Sequence, residues 1–451
     1  MTLTGTHLTA ETIRPGDDGY DEAARVFFAT GRPALVVRPR DVDDVAGALR
    51  HAVRECLAVA VRSGGHSAVG HGTNTDGMVL DLQHLDRVEV LDAERRLVRV
   101  GGGARWGQVA AALQPHGLGL TSGDTLDVGV GGLTLGGGMG WMVRKHGLTI
   151  DNLVGARVVT ADGRLVTASA TENPDLFWAL RGGGGNFGVV VDFDFLAHAV
   201  SSVHFGSVVY QVDGAGDLVR RWRDAMRAAP DQLTSNLALL PPMGDGPRQA
   251  MLLLCYAGDP GASATEADAA IEPLLELGTV REASIAERPY ADVLEEAQHL
   301  PPGLRLVVRN TLVRVLDDDV VEAIATLHGS APAMIALRSL GGAVARVPAG
   351  ATAFAHRDAE AMVLGGFAVP EQLGPEEVDA VLAAWRPLAG LGTGTYLNFQ
   401  GSATADDAAL AYPPATYARL AEVKRTYDPD NVFALNLNVP PAADAAAGPA
   451  A

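Results

Sequence analysis

Glycine, and where it is clustered, constrains this chain most. Of its 451 residues 53 are glycine, against a usual ~7%. Four clusters lie between residues 62 and 188. The first is Arg62-Ser63-Gly64-Gly65-His66-Ser67, directly after an apolar run, and the second is Gly101-Gly102-Gly103. The third runs from Gly129 to Gly140, with seven glycines in twelve positions. The fourth is Arg181-Gly182-Gly183-Gly184-Gly185-Asn186-Phe187-Gly188. Glycine admits φ > 0 and lets bare N–H groups approach a ligand closely. Successive amides hold phosphate without basic side chains. One such loop is explained by a tight turn; four in one region point to a shared phosphate-bearing ligand.

The choice of ligand narrows by context. Gly183 to Gly188 fits G-x-G-x-x-G, but that motif needs a strand before it and a helix after. Here 172–180 has helical spacing and 189–196 is strongly β, so a nicotinamide-type site fails. No G-x-x-x-x-G-K-[ST] occurs, which excludes a phosphate-loop nucleotidase. Acidic residues number 54 against 35 basic, a net charge of −19, so neither nucleic acid nor an anionic membrane surface is an expected partner. No apolar run reaches the ~18 to 20 residues of a membrane span. Cys56 and Cys255 are the only cysteines, too few for a disulfide framework or a thiolate cluster, and no H-E-x-x-H spacing suggests a metal. The N-terminus carries Glu11, Asp17, Asp18, Asp21 and Glu22 and no apolar stretch, so no signal peptide is expected and a cytoplasmic protein is. Lys145 and Lys424 are the only lysines; with abundant alanine this suggests GC-rich, bacterial coding. His66, in a Gly-Gly-His turn after an apolar strand, is placed to aim its ring into a cleft. His71 shares that site or is a loop histidine.

Apolar spacing predicts strand, helix, strand over 34–37, 41–54 and 57–61. Strands follow at 78–82, 87–92 and 96–101, then a helix over 104–115. A hairpin over 154–160 and 164–168 turns at Asp162-Gly163. Beyond about 203 the character changes. Strand-like segments at 203–212, 233–240, 250–257 and 305–315 alternate with helical ones at 215–229, 263–277 and 289–298. The Pro-rich stretches 241–247 and 301–302 read as loops, and a helix lies near 375–386. The expected units are 1–200, 201–395, a segment 396–440 returning to the first, and a disordered tail over 441–451.

Together these residues resemble the vanillyl-alcohol oxidase and p-cresol methylhydroxylase flavoprotein superfamily, specifically its berberine bridge enzyme-like oxidases. The first loop resembles that family's flavin-attachment loop. Gly129 to Gly140, followed by Asp151-Asn152-Leu153, resembles its second phosphate loop. Tyr396-Leu397-Asn398-Phe399, Arg419-Leu420, Lys424, Tyr427-Asp428-Pro429-Asp430-Asn431-Val432-Phe433 and Asn436-Leu437-Asn438-Val439-Pro440 resemble its C-terminal pattern. The resemblance implies an α+β fold. A bipartite FAD-binding domain (about 25–97 and 98–200) would be joined to a substrate domain with an antiparallel sheet backed by helices. It implies FAD bonded to a ring nitrogen of His66 through the flavin 8α-methyl. Cofactor contacts would come from Arg62, Ser63, Gly64, Gly65 and Ser67, and from Gly123, Thr125, Val128, Gly129, Gly131, Gly132, Leu133, Gly136, Gly137 and Gly140. Gly188, Val190, Asn398, Asn436 and Asn438 complete that set. Many relatives add a cysteine link within Cys-Pro-x-Val-Gly. Here the aligned stretch is Thr125-Leu126-Asp127-Val128-Gly129, so the expected link is through His66 only.

The same resemblance implies an oxidoreductase that takes a hydride from an alcohol or activated C–H of a small or mid-sized organic molecule and passes electrons to dioxygen. With aromatics at 5%, a secondary metabolite fits better than a sugar. A dehydrogenase, an oxygenase or a ligand-sequestering flavoprotein are the alternatives on this scaffold. Val128 stands where valine accompanies oxidases and leucine dehydrogenases; one methylene fewer leaves room for dioxygen. Tyr396 is either the base, with its pKa lowered by a nearby positive charge or the flavin, or a hydrogen-bond donor. The acidic residue that many relatives carry before Leu340-Gly341-Gly342-Ala343 is absent. Arg338 stands there instead, to meet an anionic substrate or form a surface salt bridge. Tyr256 and His299 are further substrate-cavity candidates.

Overall fold

The computed structural model describes residues 8–241 and 246–443. A first, four-stranded sheet has the order Glu11–Ile13, Leu35–Arg38, Met78–Asp81, Val59–Arg62. The last three strands are parallel and the first antiparallel. Helix Val42–Arg54 makes one crossover. Asp41 caps it by accepting from the Asp44 amide, and Val45, Ala46, Ala48, Leu49 and Ala52 form its buried stripe. In such sheets the ligand crevice lies beyond the strands' carboxyl ends, which is where Arg62 hands over to the first glycine loop.

The second sheet is antiparallel, in the order Leu165–Ser169, Leu153–Val159, Val189–Leu196, Leu97–Gly101, Val88–Asp92. Its first two strands form the expected hairpin. Helix Trp106–Leu113 buries Trp106, Val109, Ala110 and Leu113.

The third sheet is antiparallel and seven-stranded: Thr279–Pro289, Ser202–Gln211, Gln249–Tyr256, Leu233–Leu239, Ala333–Ser339, Ala361–Pro370, Leu304–Val313. Helices Ala215–Ala228, Ala264–Leu275, Asp318–Ser330 and Pro375–Leu382 contribute to one core with it. Strand side chains alternate between faces, so Leu237, Leu252, Ile335, Leu337 and Val363 share that core. The opposite face is left for the cavity.

Two expectations fail locally. The helix over 289–298 is one 3-10 turn, Tyr290–Val293. Tertiary pairing overrides the local pattern there. The Tyr290 hydroxyl donates to Leu120 O (3.1 Å), and Glu295 pairs with the loop at 124–126 through both its amide and its carbonyl. The disordered tail does not begin at 441, because the Ala442 amide donates to Ala421 O (3.0 Å). Residues 444–451, and 242–245 of the Pro-rich loop, lie outside the described residues. No helix among the described residues is long and apolar enough to cross a membrane.

Candidate functional site

A cavity of about 670 Å³ opens between the glycine loops and the free face of the seven-stranded sheet. Ser63 joins three loops, its Oγ donating to Gly102 O (2.7 Å) and accepting from the Gly131 amide (3.2 Å). The first and third loops touch backbone to backbone. A Cβ added at Gly129 would lie 2.1 Å from Gly64 N, so only glycine fits. The fourth loop is tied to the third, since the amides of Gly182 and Gly184 both donate to Leu135 O (3.1 and 3.0 Å). The amides of Gly64, Gly65 and His66 have no acceptor among the described residues. Gly132 and Gly185 line the cavity, and a Cβ at either would meet nothing within 4 Å. Asn436 also lines it, with a buried Oδ1 that no donor among the described residues meets. A cradle of free amides and bare glycine faces fits the phosphate-bearing FAD.

The His66 ring stacks on Phe27 (centroids 4.8 Å, 18°), and His299 stacks on Phe27 too (4.5 Å, 22°). Burial pushes the His66 pKa below the usual imidazole range, with Asp127 opposing. Its imidazole is therefore neutral at pH 7 and keeps a free lone pair. His71 lines the cavity, pushed down to about 4 by burial.

Tyr396 is held from two sides. Asn310, on strand Leu304–Val313, accepts from the Tyr396 amide (2.7 Å) and donates to its carbonyl (3.0 Å). The phenol oxygen accepts from the Gly138 amide (2.8 Å) and Asn398 Nδ2 (2.7 Å). Its pKa is not lowered as expected but pushed up to about 12. Burial dominates, and the Gly138 and Asn398 hydrogen bonds and the Arg338 charge offset only part of it.

Arg338 Nη2 donates to Asp124 Oδ2 at 2.5 Å, and its guanidinium lies 4.9 Å from the Phe399 ring centre. This is a salt bridge, but one set in the cavity wall rather than on the open surface. Burial would raise the Asp124 pKa, but Arg338 and the Thr125 hydroxyl outweigh it and hold the carboxyl below its usual range.

A family model described as "FAD binding domain" matches residues 33–169, and one described as "Berberine and berberine like" matches 395–440. The chain is 32% identical to (R)-6-hydroxynicotine oxidase of Paenarthrobacter nicotinovorans, over 96% of this chain and 97% of that one. It belongs to the berberine-like FAD-linked oxidases. The xylooligosaccharide oxidase of Thermothelomyces thermophilus is 30% identical over 91% of this chain and 88% of its own. The crystal structure of 6-hydroxy-D-nicotine oxidase from Arthrobacter nicotinovorans superposes with a TM-score of 0.86 at 29% identity, covering 97% and 99% of the two chains. The protein is thus an FAD-dependent oxidoreductase of the p-cresol methylhydroxylase superfamily, with an FAD-binding domain and a sheet-rich second domain.

Within this oxidase, most residues singled out from the sequence line the cavity. Arg62, Ser63, Gly64, Gly65, His66, Ser67, Gly123, Thr125, Val128, Gly129, Gly131, Gly132, Leu133, Gly188, Val190, Arg338, Tyr396, Asn398 and Asn436 all do. Arg62 turns its charge inward, donating to Asp81 Oδ2 (2.8 Å) and to Ala23 O (2.8 Å), so it braces the loop. Gly136, Gly137, Gly140 and Asn438 are not in the lining. A Cβ at Gly136 would strike Asn398, at Gly137 the Tyr396 ring, and at Gly140 Ser122 O; these glycines admit neighbouring protein. Tyr256 packs in the sheet–helix core beside His204, away from the cavity. His299 is not in the lining; it stacks on Phe27, which is. Sequence reasoning missed Phe27, Asp124, Glu295 and Asn310. Only Asp124, adjacent to the Thr125 stretch, carried a local signal.

Proposed function

We propose that this oxidase holds FAD by one covalent bond from His66 and removes hydrogen from an alcohol or activated C–H of a small or mid-sized organic molecule, with dioxygen as acceptor. The observation that carries it is His66, neutral on a loop of free amides, in the same cavity as Tyr396. Bound FAD supplies the two-electron acceptor. The glycine-loop amides hold its phosphates, and a neutral histidine nitrogen suits the single attachment. Thr125 lines the cavity where many relatives carry cysteine, and its hydroxyl is engaged by Asp124 (3.1 Å). Cys56 and Cys255 do not line the cavity, so neither offers a second bond. Tyr396, fixed through Asn310, is placed to handle the substrate proton. Relatives named as oxidases of 6-hydroxynicotine and of xylooligosaccharides support the oxidase reading over a dehydrogenase.

Acid precipitation tests the attachment. The pellet should stay yellow and a tryptic peptide containing His66 should carry the flavin mass. Release of all flavin into the supernatant, or covalent flavin retained by His66→Ala, would overturn it.

A further inference from the structure

Opposite the glycine loops, the cavity wall is one face of the seven-stranded sheet. Ile335, Leu337 and Val363 turn towards the helices, so their neighbours Met334, Arg338 and Leu364 turn towards the cavity. The register sets Met334 beside Gly366 and Gly366 beside Val308, and sets Ala336 beside Leu364. The face is lined by Leu306, Val308, Met334 and Leu364, with the Met334 and Leu306 side chains lying over Gly366. Asn310 lies on the same face but is committed to the Tyr396 backbone and to Gln400. Arg338 is then the only polar side chain that this sheet contributes to the lining among the described residues. Its Nη2 is bound to Asp124, while Nε is buried with no acceptor among the described residues.

On the oxidase reading of this site, we propose that the substrate is an uncharged molecule with an apolar body and a carbonyl or hydroxyl oxygen that Arg338 receives. Along this face an oligosaccharide would set hydroxyls against Leu306, Val308, Met334 and Leu364, which offer no partner, and each is penalised. A carboxylate fares no better. Asp124 at 2.5 Å already cancels the Arg338 charge, and Glu295 and Glu296, exposed members of the lining, form no ion pair among the described residues. An anion would therefore meet more negative than positive charge. A neutral carbonyl or hydroxyl oxygen takes a charge-assisted hydrogen bond without that repulsion. The Phe399 ring, 4.9 Å from the guanidinium, gives the apolar body a flat neighbour.

Three probes separate the classes on the flavin-loaded enzyme, with perturbation of the flavin absorption spectrum as the binding readout. They are 2-hydroxyacetophenone, the similarly sized anion mandelate, and xylobiose. The first should bind at least tenfold more tightly than either of the others. Arg338→Met should weaken it at least tenfold and leave xylobiose unchanged. If that variant fails to take up flavin, Leu364→Asn should weaken 2-hydroxyacetophenone and not xylobiose, since it adds a polar group to the apolar face and leaves the ion pair intact. Mandelate or xylobiose binding as tightly, or unchanged affinity in the variant that holds flavin, overturns the proposal. Anaerobic flavin bleaching across the same probes and a panel of alcohols reads the oxidase activity separately. Tight binding in the expected order with no bleaching by any of them would sink the oxidase reading and leave the substrate face standing.

Discussion

The Tyr396 oxygen accepts two hydrogen bonds, from Gly138 and Asn398. As a phenol its acceptor capacity is then filled and its own O–H is free to donate; as a phenolate it is stabilised by the same two donors. With the pKa pushed up to about 12, the proton-accepting form is scarce at pH 7 and grows with pH. If Tyr396 is the base, flavin reduction by substrate should climb through the alkaline range, about tenfold per pH unit well below the pKa. Tyr396→Phe should slow that step ~10²-fold and abolish the pH dependence. A flat profile with less than ~5-fold loss leaves Tyr396 as a hydrogen-bond donor. Val128 bears on the second half-reaction. It lines the cavity, and Trp106 N pins its carbonyl at 3.0 Å. Val128→Leu should cost about 1 to 3 kcal/mol in packing, leave reduction by substrate nearly unchanged, and slow reoxidation by dioxygen but not by a dye. Equal slowing of all three would mark a structural defect instead. Tyr396 was legible in the sequence because Tyr-x-Asn is a local pattern. The direction of its pKa shift was not, because burial comes from elements hundreds of residues away.

At the scale of elements, the site depends on loops that touch without side chains between them. Gly129→Ala would put a Cβ 2.1 Å from Gly64 N and 2.3 Å from Ser63 Oγ. One of those neighbours is backbone and the other ties three loops together, so neither yields cheaply. The variant should keep its far-UV circular dichroism and lose most of its bound flavin; full flavin occupancy would show that the loops separate easily. The loops were readable because glycine runs record close approach directly. Elements without a pattern were not. Strand Thr279–Pro289 is an exposed edge with no apolar alternation, and Ala361–Pro370 is buried on both faces, so neither shows a period of two. The stretch 289–298 was misread because long-range pairing sets its conformation: Tyr290 bonds to Ser201 O and Leu120 O, and Glu295 pairs with 124–126.

At the scale of the molecule, one buried ion pair locks the C-terminal segment onto the fourth glycine loop. Lys424 Nζ donates to Asp428 Oδ2 (2.6 Å), Asn186 O (2.8 Å) and Phe433 O (3.0 Å), and both charged side chains are fully buried. Asp428 also accepts from the amides of Val432 and Phe433, and Asn186 Oδ1 accepts from the Val439 amide. The clip thereby fixes the fourth glycine loop and delivers Asn436 to the cavity. Burial pulls the Lys424 pKa below the usual amine range while Asp428 opposes, which is the balance that makes such a pair costly to break and cheap to replace. Lys424→Met strands a buried carboxylate and should cost about 3 to 5 kcal/mol, whereas Lys424→Met with Asp428→Leu should recover a large part of that loss. Because the clip carries a cavity residue, heating Lys424→Met should perturb the flavin spectrum before circular dichroism reports unfolding. Coincident transitions, or a melting temperature equal to wild type, would mean that the C-terminal segment is held by its apolar contacts through Leu420, Val423 and Leu437 and that the ion pair is incidental.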